Sequence, residues 1–295
     1  MLTDLHATVA DWYTAHARDL PWRRPGTTPW GVLVSEVMSQ QTPVARVAPA
    51  WEAWMGRWPE PADLAAAAPA DVLRAWDRLG YPRRALRLRE CAEQLVARFD
   101  GAVPRTEEEL LSLPGVGAYT AAAVVSFAHG GRALVLDTNV RRVLGRVVAG
   151  RALPPPGLTA GERVGAADLL PADAATSVRW NEGVMELGAL VCTARAPRCT
   201  ACPLVERCRW RRAGAPPATH ARRRQAWHGT DRQARGRVMA RLRELPDGRT
   251  LGTEELLAPL REGAADVAQP DRALASLLAD GLVTEPSPGR WTLPG

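Results

Sequence analysis

Apolar residues recur three and four positions apart along most of the chain, and strict apolar–polar alternation is rare. This periodicity predicts a mainly helical fold. It is clearest in TPWGVLVSEVMSQQT, where Thr28 can cap a helix and Pro29 suits its first position. One apolar stripe follows, formed by Trp30, Leu33, Val34, Val37 and Met38. Glu36 lies off this stripe, so periodicity alone places it on a solvated helix face.

Two later segments also begin like helices. In TEEELLSL, Thr106 and Glu109 have the spacing of a capping box. In LDTNVRRVLGRVV, Asp137 or Thr138 can cap a helix that buries a run of valines, and LPPPG prevents that helix from continuing. Taken alone, Asp137 is therefore a plain N-cap.

The segment LPGVGAYTAAAV interrupts the helical pattern with one proline and two glycines. We predict that one helix ends at Leu113 and that a second starts near Ala118, which makes a helix-hairpin-helix. Gly115 and Gly117 let backbone amides approach a phosphate, and the following helix N-terminus favours an anion. Such a contact holds DNA without reading its sequence. The alternative is an ordinary tight turn between two helices.

The chain has 295 residues, enough for two or three compact modules. Its 38 Lys and Arg outnumber 32 Asp and Glu, which suits a polyanionic partner, although an arginine-rich composition can produce this excess by itself. No apolar run is long enough to span a membrane, and no export signal is evident. We therefore expect no membrane partner and a cytoplasmic, nucleoid-associated protein.

Four of the five cysteines form the pattern C-x6-C-x2-C-x5-C, at Cys192, Cys199, Cys202 and Cys208. Four thiolates at these separations can ligate one [4Fe-4S] cluster, and the run resembles the iron-sulfur loop of the endonuclease III superfamily. Zinc is the alternative, although structural zinc sites usually come as two short cysteine pairs and only one is present. The fifth, Cys91, is predicted to be a small core residue.

The cluster would fix a loop that carries several arginines. These can face phosphate or form a solvated surface, and they are Arg195, Arg198, Arg207 and Arg209. The following stretch, 211–230, is basic and contains prolines, which predicts a linker. Helices near 232–245, 253–260 and 271–279, followed by two short strands in LVTEPSPGRWTLP, predict a small winged-helix-like module over 231–295.

Six motifs and the cysteine loop occur in the order seen in the MutY adenine DNA glycosylases. The motifs are LPWRR, SEVMSQQTPV, LGYPRRA, LPGVGAYTA, LDTNVRRVLGR and WNEGVMELGALVC. The resemblance covers the first two-thirds of the chain. It implies a six-helix barrel module over 22–136, with the helix-hairpin-helix, and an iron-sulfur module over 1–21 and 137–210, with DNA clasped between them.

The resemblance also implies the reaction. The chain is expected to be a monomeric, monofunctional glycosylase of base excision repair that acts on double-stranded DNA and removes adenine mispaired with 8-oxoguanine or guanine. Cleavage of an N-glycosidic bond needs an acid for the base and a negative charge for the oxocarbenium-like sugar. By resemblance, Glu36 is the acid, in a pocket that raises its pKa, and later helps to activate water. Asp137, kept ionised by the helix start, stabilises the sugar, and Asn139 helps to orient the site.

Tyr119 stands where the bifunctional relatives carry the lysine that attacks the sugar, so it points to a monofunctional enzyme. Its hydroxyl can hydrogen-bond within the catalytic pocket, or the ring can simply pack at a module boundary. The resemblance places Trp22, Arg23 and Glu182 around the adenine pocket, although Trp22 can equally be core and Glu182 a surface charge.

The resemblance assigns a second set of residues to the duplex around the base opposite the extruded adenine: Gln41, Thr42 and Tyr81. They would help to offset the cost of base flipping. Two features depart from the family pattern. Pro82 follows Tyr81, where relatives often have a second tyrosine, and the C-terminal module is too small for the MutT-like domain that senses 8-oxoguanine.

Two other functions fit parts of the sequence. One is a thymine or uracil mismatch glycosylase of the same superfamily, but Glu36 argues against it because acid catalysis serves a purine ring. The other is a non-catalytic iron-sulfur protein that binds DNA. The joint presence of Glu36, Asp137 and Tyr119 argues against that function.

Overall fold

The structure, a computed structural model, describes residues 2–218, 227–262, 264 and 266–295. Part of the linker predicted over 211–230 lies outside these residues. The described chain is mainly helical, which confirms the predicted fold class. The helices are α1 (Leu2–His16), α2 (Pro29–Ser39), α3 (Val44–Arg57), α4 (Pro61–Ala65), α5 (Pro69–Trp76), α6 (Arg83–Phe99), α7 (Glu107–Leu111), α8 (Ala118–Phe127), α9 (Thr138–Val147), α10 (Ala160–Ala167), α11 (Ala174–Leu190), α12 (Arg209–Arg212), α13 (Asp231–Arg243), α14 (Thr253–Arg261) and α15 (Gln269–Ala279).

The chain separates into two compact units. The first unit comprises Met1–Glu36, Pro104–Ser112 and Val116–Arg222. The second unit comprises Val37–Val103, Leu113–Gly115 and Arg223–Gly295. This grouping differs from the module boundaries that motif order predicts, and those boundaries stay a prediction. Within the described residues, no helix is both long and apolar enough to cross a membrane.

The core of the first unit forms where α1, α9 and α11 present their apolar faces. Val9, Val143 and Val184 are almost fully buried there, together with Trp180. Gly183 allows the close approach, because a Cβ atom at this position would lie 2.5 Å from Cγ1 of Val9. Burial of this apolar surface is the main stabilising contribution in the unit.

The hairpin differs from the prediction at one end. Helix α7 ends at Leu111 rather than Leu113, because the Ser112 amide bonds to the Glu109 carbonyl at 3.1 Å and tightens the last turn. Thr106 accepts a hydrogen bond from the Glu109 amide, as predicted. Helix α8 starts at Ala118, which confirms the other boundary.

The core of the second unit contains a cluster of tryptophans. Trp54 makes edge-to-face contacts with Trp58 and Trp76, with ring centroids 4.6 and 5.6 Å apart, a favourable aromatic geometry. Cys91 on α6 is 1% exposed, as predicted for a core residue, and burial raises its pKa to about 12.

The C-terminal module has the predicted helices and two strands, β2 (Thr284–Ser287) and β3 (Arg290–Thr292). A third short strand, β1 (Leu251–Gly252), was not predicted, and the antiparallel order is β1-β3-β2. This succession of helices and strands is winged-helix-like. The module packs on the rest of the second unit through Arg74, which pairs with Asp247 at 2.6 Å.

Candidate functional site

Helix α2 places Glu36 inside the protein. Every residue from 30 to 38 is buried, so this helix has no solvated face over that span. Glu36 is only 8% exposed. The simple interpretation from periodicity, a charge on a wet helix face, is therefore wrong: neighbouring elements cover α2 on its polar side as well.

Three groups surround the Glu36 carboxylate. The Tyr119 hydroxyl, on α8, donates a hydrogen bond to it, and Arg23 and Asp137 act on it through their charges. The pKa of Glu36 is raised to about 7, mainly by burial and also by the Asp137 charge, while the Tyr119 hydrogen bond and the Arg23 charge oppose the rise. Glu36 can therefore hold or release a proton near neutral pH, as a general acid must.

Asp137 caps α9, as predicted. One carboxylate oxygen accepts from the Val140 amide at 2.6 Å, and the other accepts from Nδ2 of Asn139 at 2.7 Å. The sequence predicts that the helix start keeps this group ionised. Burial nevertheless raises the pKa of Asp137. The hydrogen bonds from Val140 and Asn139 lower this pKa, but burial has the larger effect, so the net shift is upward.

Asn139 is itself held by an arginine that sequence reasoning missed. Arg142 is 5% exposed and donates to Oδ1 of Asn139 and to the Gly188 carbonyl, each at 2.7 Å, and to the Cys192 carbonyl at 2.6 Å. A Cβ atom at Gly188 would lie 2.7 Å from Cβ of Asn139. Asn139 therefore packs directly against the backbone of α11, and a side chain at Gly188 would displace it.

Arg23 lies between Glu36 and an ion pair that the sequence did not predict. Glu186 is fully buried and binds Nε of Arg18 at 2.7 Å and Nη2 of Arg23 at 3.1 Å. Nη1 of Arg23 is buried without a hydrogen-bond partner among the described residues. The available signal was the spacing of Glu182 and Glu186, which lie four residues apart in the mainly apolar C-terminal half of α11.

The two other residues predicted around the adenine pocket are partly buried. Trp22 lies in a single 3₁₀ turn over Pro21–Arg23 and is neither fully exposed nor part of the buried core. Burial raises the pKa of Glu182, while the Arg23 charge and a hydrogen bond with Tyr13 oppose this rise. Glu182 is therefore not a plain surface charge. The group of interacting side chains in the first unit, here called the acid pocket, comprises Glu36, Tyr119, Asp137, Asn139, Arg23 and Glu182.

The cysteines of the C-x6-C-x2-C-x5-C run line one small cavity, beside Arg146 and Trp210. Nη1 of Arg146 donates to Sγ of Cys192 at 3.3 Å, and its guanidinium lies 4.6 Å from the Trp210 ring. Burial raises the pKa of Cys202 to about 11. Among the described residues, no His, Cys, Asp or Glu side chains are grouped closely enough to ligate a single metal ion.

The arginines of the cysteine loop are all exposed. Arg198 donates to the Leu190 carbonyl, and Arg207 forms an ion pair with Asp4. The phosphate contacts predicted for them and for Arg195 and Arg209 stay a prediction.

The residues predicted to enter the duplex form a second set, in the second unit. Gln41 and Tyr81 both have left-handed backbones, with φ of +55° and +49°, which non-glycine residues rarely adopt. Tyr81 is 38% exposed. Thr42 is 7% exposed, and its hydroxyl donates to the Leu79 carbonyl at 3.1 Å. Strained backbone of this kind is concentrated at functional sites.

Arg84 holds these two turns together. Its Nη1 donates to the Gln40 carbonyl at 2.6 Å, and its Nη2 donates to the Gly80 carbonyl at 2.9 Å and to the Thr42 hydroxyl at 3.0 Å. Burial lowers the pKa of Arg84 to about 10. Pro82, the departure from the family pattern, takes a helical conformation just before α6. Gln41, Thr42, Tyr81 and Arg84 are called the wedge cluster below.

The hairpin glycines are exposed. Gly115 has φ of +78°, and a Cβ atom there would lie 3.0 Å from Cβ of Arg87. A Cβ atom at Gly117 would meet nothing within 4 Å. Gly115 is therefore required by the turn, whereas local packing does not require a glycine at Gly117.

Comparisons with known proteins agree on the fold. The family of HhH-GPD superfamily base excision DNA repair proteins matches residues 34–162, a range that includes Glu36, Tyr119 and Asp137. The adenine DNA glycosylase of Mycolicibacterium smegmatis is 53% identical over 287 residues, which are 97% of this chain and 95% of that protein. The match therefore extends through the C-terminal module.

Two further similarities concern proteins named for pyrimidines. The thymine/uracil-DNA glycosylase of Pyrobaculum aerophilum is 36% identical over 205 residues, covering 68% of this chain and 89% of that protein. The solved structure of a thermostable thymine-DNA glycosylase matches with a TM-score of 0.63 at 26% identity, covering 72% of this chain and 97% of that chain. The fold is thus shared by proteins that are named for different bases.

Proposed function

The chain belongs to the MutY-type adenine DNA glycosylase family and is a DNA glycosylase, and from this premise we propose that it removes adenine mispaired with 8-oxoguanine or guanine. The observation that carries the proposal is the buried carboxyl of Glu36, whose pKa is raised to about 7. A purine leaves its sugar readily only after a ring nitrogen is protonated. A carboxyl that keeps its proton near neutral pH is suited to that step.

Glu36 protonates the flipped adenine, the glycosidic bond breaks, and Glu36, now ionised, accepts a proton from the attacking water. Tyr119 stabilises the ionised form through its hydrogen bond and thereby limits how far burial raises the pKa. The proton thus moves from Glu36 to the base and is replaced from water. No other proton donor is needed for the first step.

Asp137 faces the positive charge that develops on the sugar. Its two oxygens are each held by a donor from α9, the Val140 amide and the Asn139 side chain, so the carboxylate does not need to reorganise during the reaction. A fixed negative charge stabilises an oxocarbenium-like transition state, or bonds the anomeric carbon transiently.

The proposed enzyme is monofunctional. Lyase chemistry requires an amine that forms a Schiff base with the opened sugar, and Tyr119 provides only a hydroxyl, which burial keeps protonated by raising its pKa well above the usual value. Abasic strands should stay intact until alkali is added, and borohydride should trap little covalent complex. Efficient nicking with a borohydride adduct would contradict this assignment.

Arg23 offers a hydrogen-bond donor to a ligand in the acid pocket. Its buried Nη1 has no hydrogen-bond partner among the described residues, and a buried donor left unpaired costs free energy. The ring nitrogens of a flipped adenine are acceptors that can pair with such a donor. Arg23 therefore binds the adenine, with Trp22 and Glu182 as further walls of the pocket.

The substrate is duplex DNA, bound by a monomer. Gly115 and Gly117 contact the phosphate backbone through exposed amides, as a helix-hairpin-helix does without reading sequence. The wedge cluster enters the duplex around the base opposite the adenine and offsets part of the cost of base flipping.

The cofactor is a [4Fe-4S] cluster held by Cys192, Cys199, Cys202 and Cys208. These four thiols line one cavity, which fits an all-cysteine ligand set. When bound, the cluster supplies a structural restraint on the loop. The expected protein is brown, and Cys199→Ser or Cys202→Ser should lose the broad visible absorbance. Metal analysis that finds zinc and no iron would contradict the assignment.

One experiment tests the function. The protein is incubated with duplexes that contain A opposite 8-oxoguanine, A opposite guanine, T opposite guanine or U opposite guanine, and abasic sites are then cleaved with alkali. The proposal expects strand breaks only at adenine. Breaks at T or U would instead favour a pyrimidine mismatch glycosylase, as the Pyrobaculum relative is named, and no breaks in any duplex would favour a non-catalytic DNA-binding protein.

A further inference from the structure

The C-terminal module contacts the wedge cluster directly. Arg232, near the start of α13, donates from Nη1 to the Tyr81 hydroxyl at 3.1 Å. Its guanidinium carbon lies 5.3 Å from the centroid of the Tyr81 ring. Both residues belong to the second unit, although 151 positions separate them. Arg232 therefore contacts both the aromatic ring and the hydroxyl of Tyr81.

Two arginines, Arg84 and Arg232, lie near the ring of Tyr81. The guanidinium of Arg84 lies 5.7 Å from the same ring, and the guanidinium of Arg232 also lies 4.8 Å from the ring of Trp227. Planar guanidinium groups stack on aromatic faces with little loss of hydration. These contacts restrict the rotamers of an exposed ring that stands on a left-handed backbone.

An ion-pair network lies one turn further along α13. Asp280 accepts from Arg235 at 2.5 Å and from Arg83 at 3.1 Å. Arg83 is two residues from Tyr81, so this network joins the same two segments that Arg232 and Tyr81 join. The module therefore contacts the segment around Tyr81 at two places, through Arg232 of α13 and through Asp280 at the end of α15.

We propose that Arg232 is a positioning residue for Tyr81, and that through it the C-terminal module takes part in recognition of the base opposite the extruded adenine. This inference rests on the proposed function. It gives the small C-terminal module a role in the recognition of DNA. Arg232 holds the Tyr81 ring in one orientation before DNA arrives, which lowers the entropic cost of inserting it.

The test is a double-mutant cycle on the full chain. Arg232→Ala, Tyr81→Ala and the double variant are compared for binding to duplexes with uncleavable 2′-fluoro-2′-deoxyadenosine opposite 8-oxoguanine or guanine. Arg237→Ala is the matched control, because Arg237 is an exposed arginine of the same helix, and its removal changes the net charge equally.

We expect Arg232→Ala to weaken binding opposite 8-oxoguanine about five- to tenfold and to reduce the preference over guanine. The double variant should bind no more weakly than Tyr81→Ala, because the two residues act as a unit. Arg237→Ala should weaken binding to both duplexes equally, by about twofold. When it is combined with Tyr81→Ala, the two fold-losses of affinity should multiply. Arg232→Lys keeps the charge without the planar stack and should lose the same preference.

The proposal is wrong if Arg232→Ala behaves like Arg237→Ala, or if its effect multiplies with that of Tyr81→Ala. Thermal unfolding checks that each variant is folded, and Arg232→Lys serves in place of the alanine variant if that one is not. Binding to an uncleavable duplex involves no base release. A failure of the proposed function, seen as no adenine release by the unmodified protein, is therefore distinguished from a failure of this inference.

Discussion

The acid pocket and the wedge cluster obtain function from opposite physical conditions. The acid pocket buries Glu36 and raises its pKa, with neighbouring side chains locked by short hydrogen bonds. The wedge cluster instead leaves Tyr81 exposed, on a strained backbone, beside arginines. Chemistry on the base needs a dry, rigid site whose proton affinity is tuned. Insertion into DNA needs an exposed ring that is already oriented to stack on bases.

The two regions differ in the kind of free-energy cost that each one carries. In the acid pocket the cost is electrostatic, since a buried carboxyl resists ionisation. In the wedge cluster the cost is conformational, since two non-glycine residues have positive φ. Substitutions should therefore change proton-dependent rates in the first region, and should change backbone stability and DNA binding in the second.

The largest effect is expected for Glu36→Gln. The amide cannot donate the proton, so the single-turnover rate of adenine release should fall by about 10³-fold or more, while duplex affinity stays within about twofold. Gel-based cleavage after alkali gives the rate, and fluorescence anisotropy gives the affinity. Glu107→Gln, at an exposed position of α7 in the same unit, is the control and should change neither quantity. Appreciable turnover by Glu36→Gln would remove Glu36 from the acid role.

Asp137→Asn should slow release by about 10²- to 10³-fold, because it removes the charge that faces the developing cation. The matched control is Asp173→Asn, because Asp173 caps α11 through the Thr176 amide at 2.8 Å, much as Asp137 caps α9. Asparagine is a good cap, so both variants should remain stable. Equal rates for the two variants would show that Asp137 is only a cap.

The pH dependence should distinguish Tyr119→Phe from the unmodified protein. Glu36 must be protonated to act, so the rate should fall as pH rises through its pKa of about 7. The Tyr119 hydrogen bond lowers that pKa, so its removal should move the falling limb upward by about one pH unit and change the plateau by about tenfold at most. A limb that moves downward would show that this hydroxyl does not stabilise the carboxylate.

The same pKa has a consequence for stability, with a defined sign. Folding raises the pKa of Glu36 from 4.5 to about 7, so its contribution to the unfolding free energy is full below pH 4.5 and is lost as pH rises through 7. Glu36→Gln should therefore raise the melting temperature more at pH 8 than at pH 4.5. A constant difference across this range would contradict the buried, shifted carboxyl.

The smallest effect is expected in the wedge cluster. Gln41→Gly removes the left-handed strain at φ of +55° and should leave the unfolding free energy unchanged or raise it by up to about 1 kcal/mol, although duplex binding weakens about fivefold. Gln94→Gly in the middle of α6 is the control and should lose about 1 kcal/mol. If both variants lose stability equally, the backbone at Gln41 stores no strain.

The sequence predicted local features well. Asp137 as the cap of α9, the start of α8, the burial of Cys91 and the helices of the C-terminal module follow from capping chemistry and periodicity, which act over a few residues. Family resemblance supplied Glu36, Tyr119 and Asn139 as a set. The structure brings these three together with Asp137 in one unit, and their catalytic roles stay predictions.

The partners of these residues were not predictable, because they come from distant parts of the chain. Arg142, Glu186 and Arg84 look like ordinary surface charges in sequence. Each is buried or half-buried only because elements many residues away cover it. The contact of Arg232 with Tyr81 joins two segments 151 positions apart, and no local rule connects them. The strand β1 was missed because a two-residue strand exists only through its pairing with β3.

Gly188 has no reactive group, yet a methyl group at this position would collide with Asn139. We therefore expect a substitution at Gly188 to displace Asn139, even though this position lies outside the reacting groups. On the proposed function, a strain that carries such an allele should be recognised by the spectrum of mutations that it accumulates rather than by its growth.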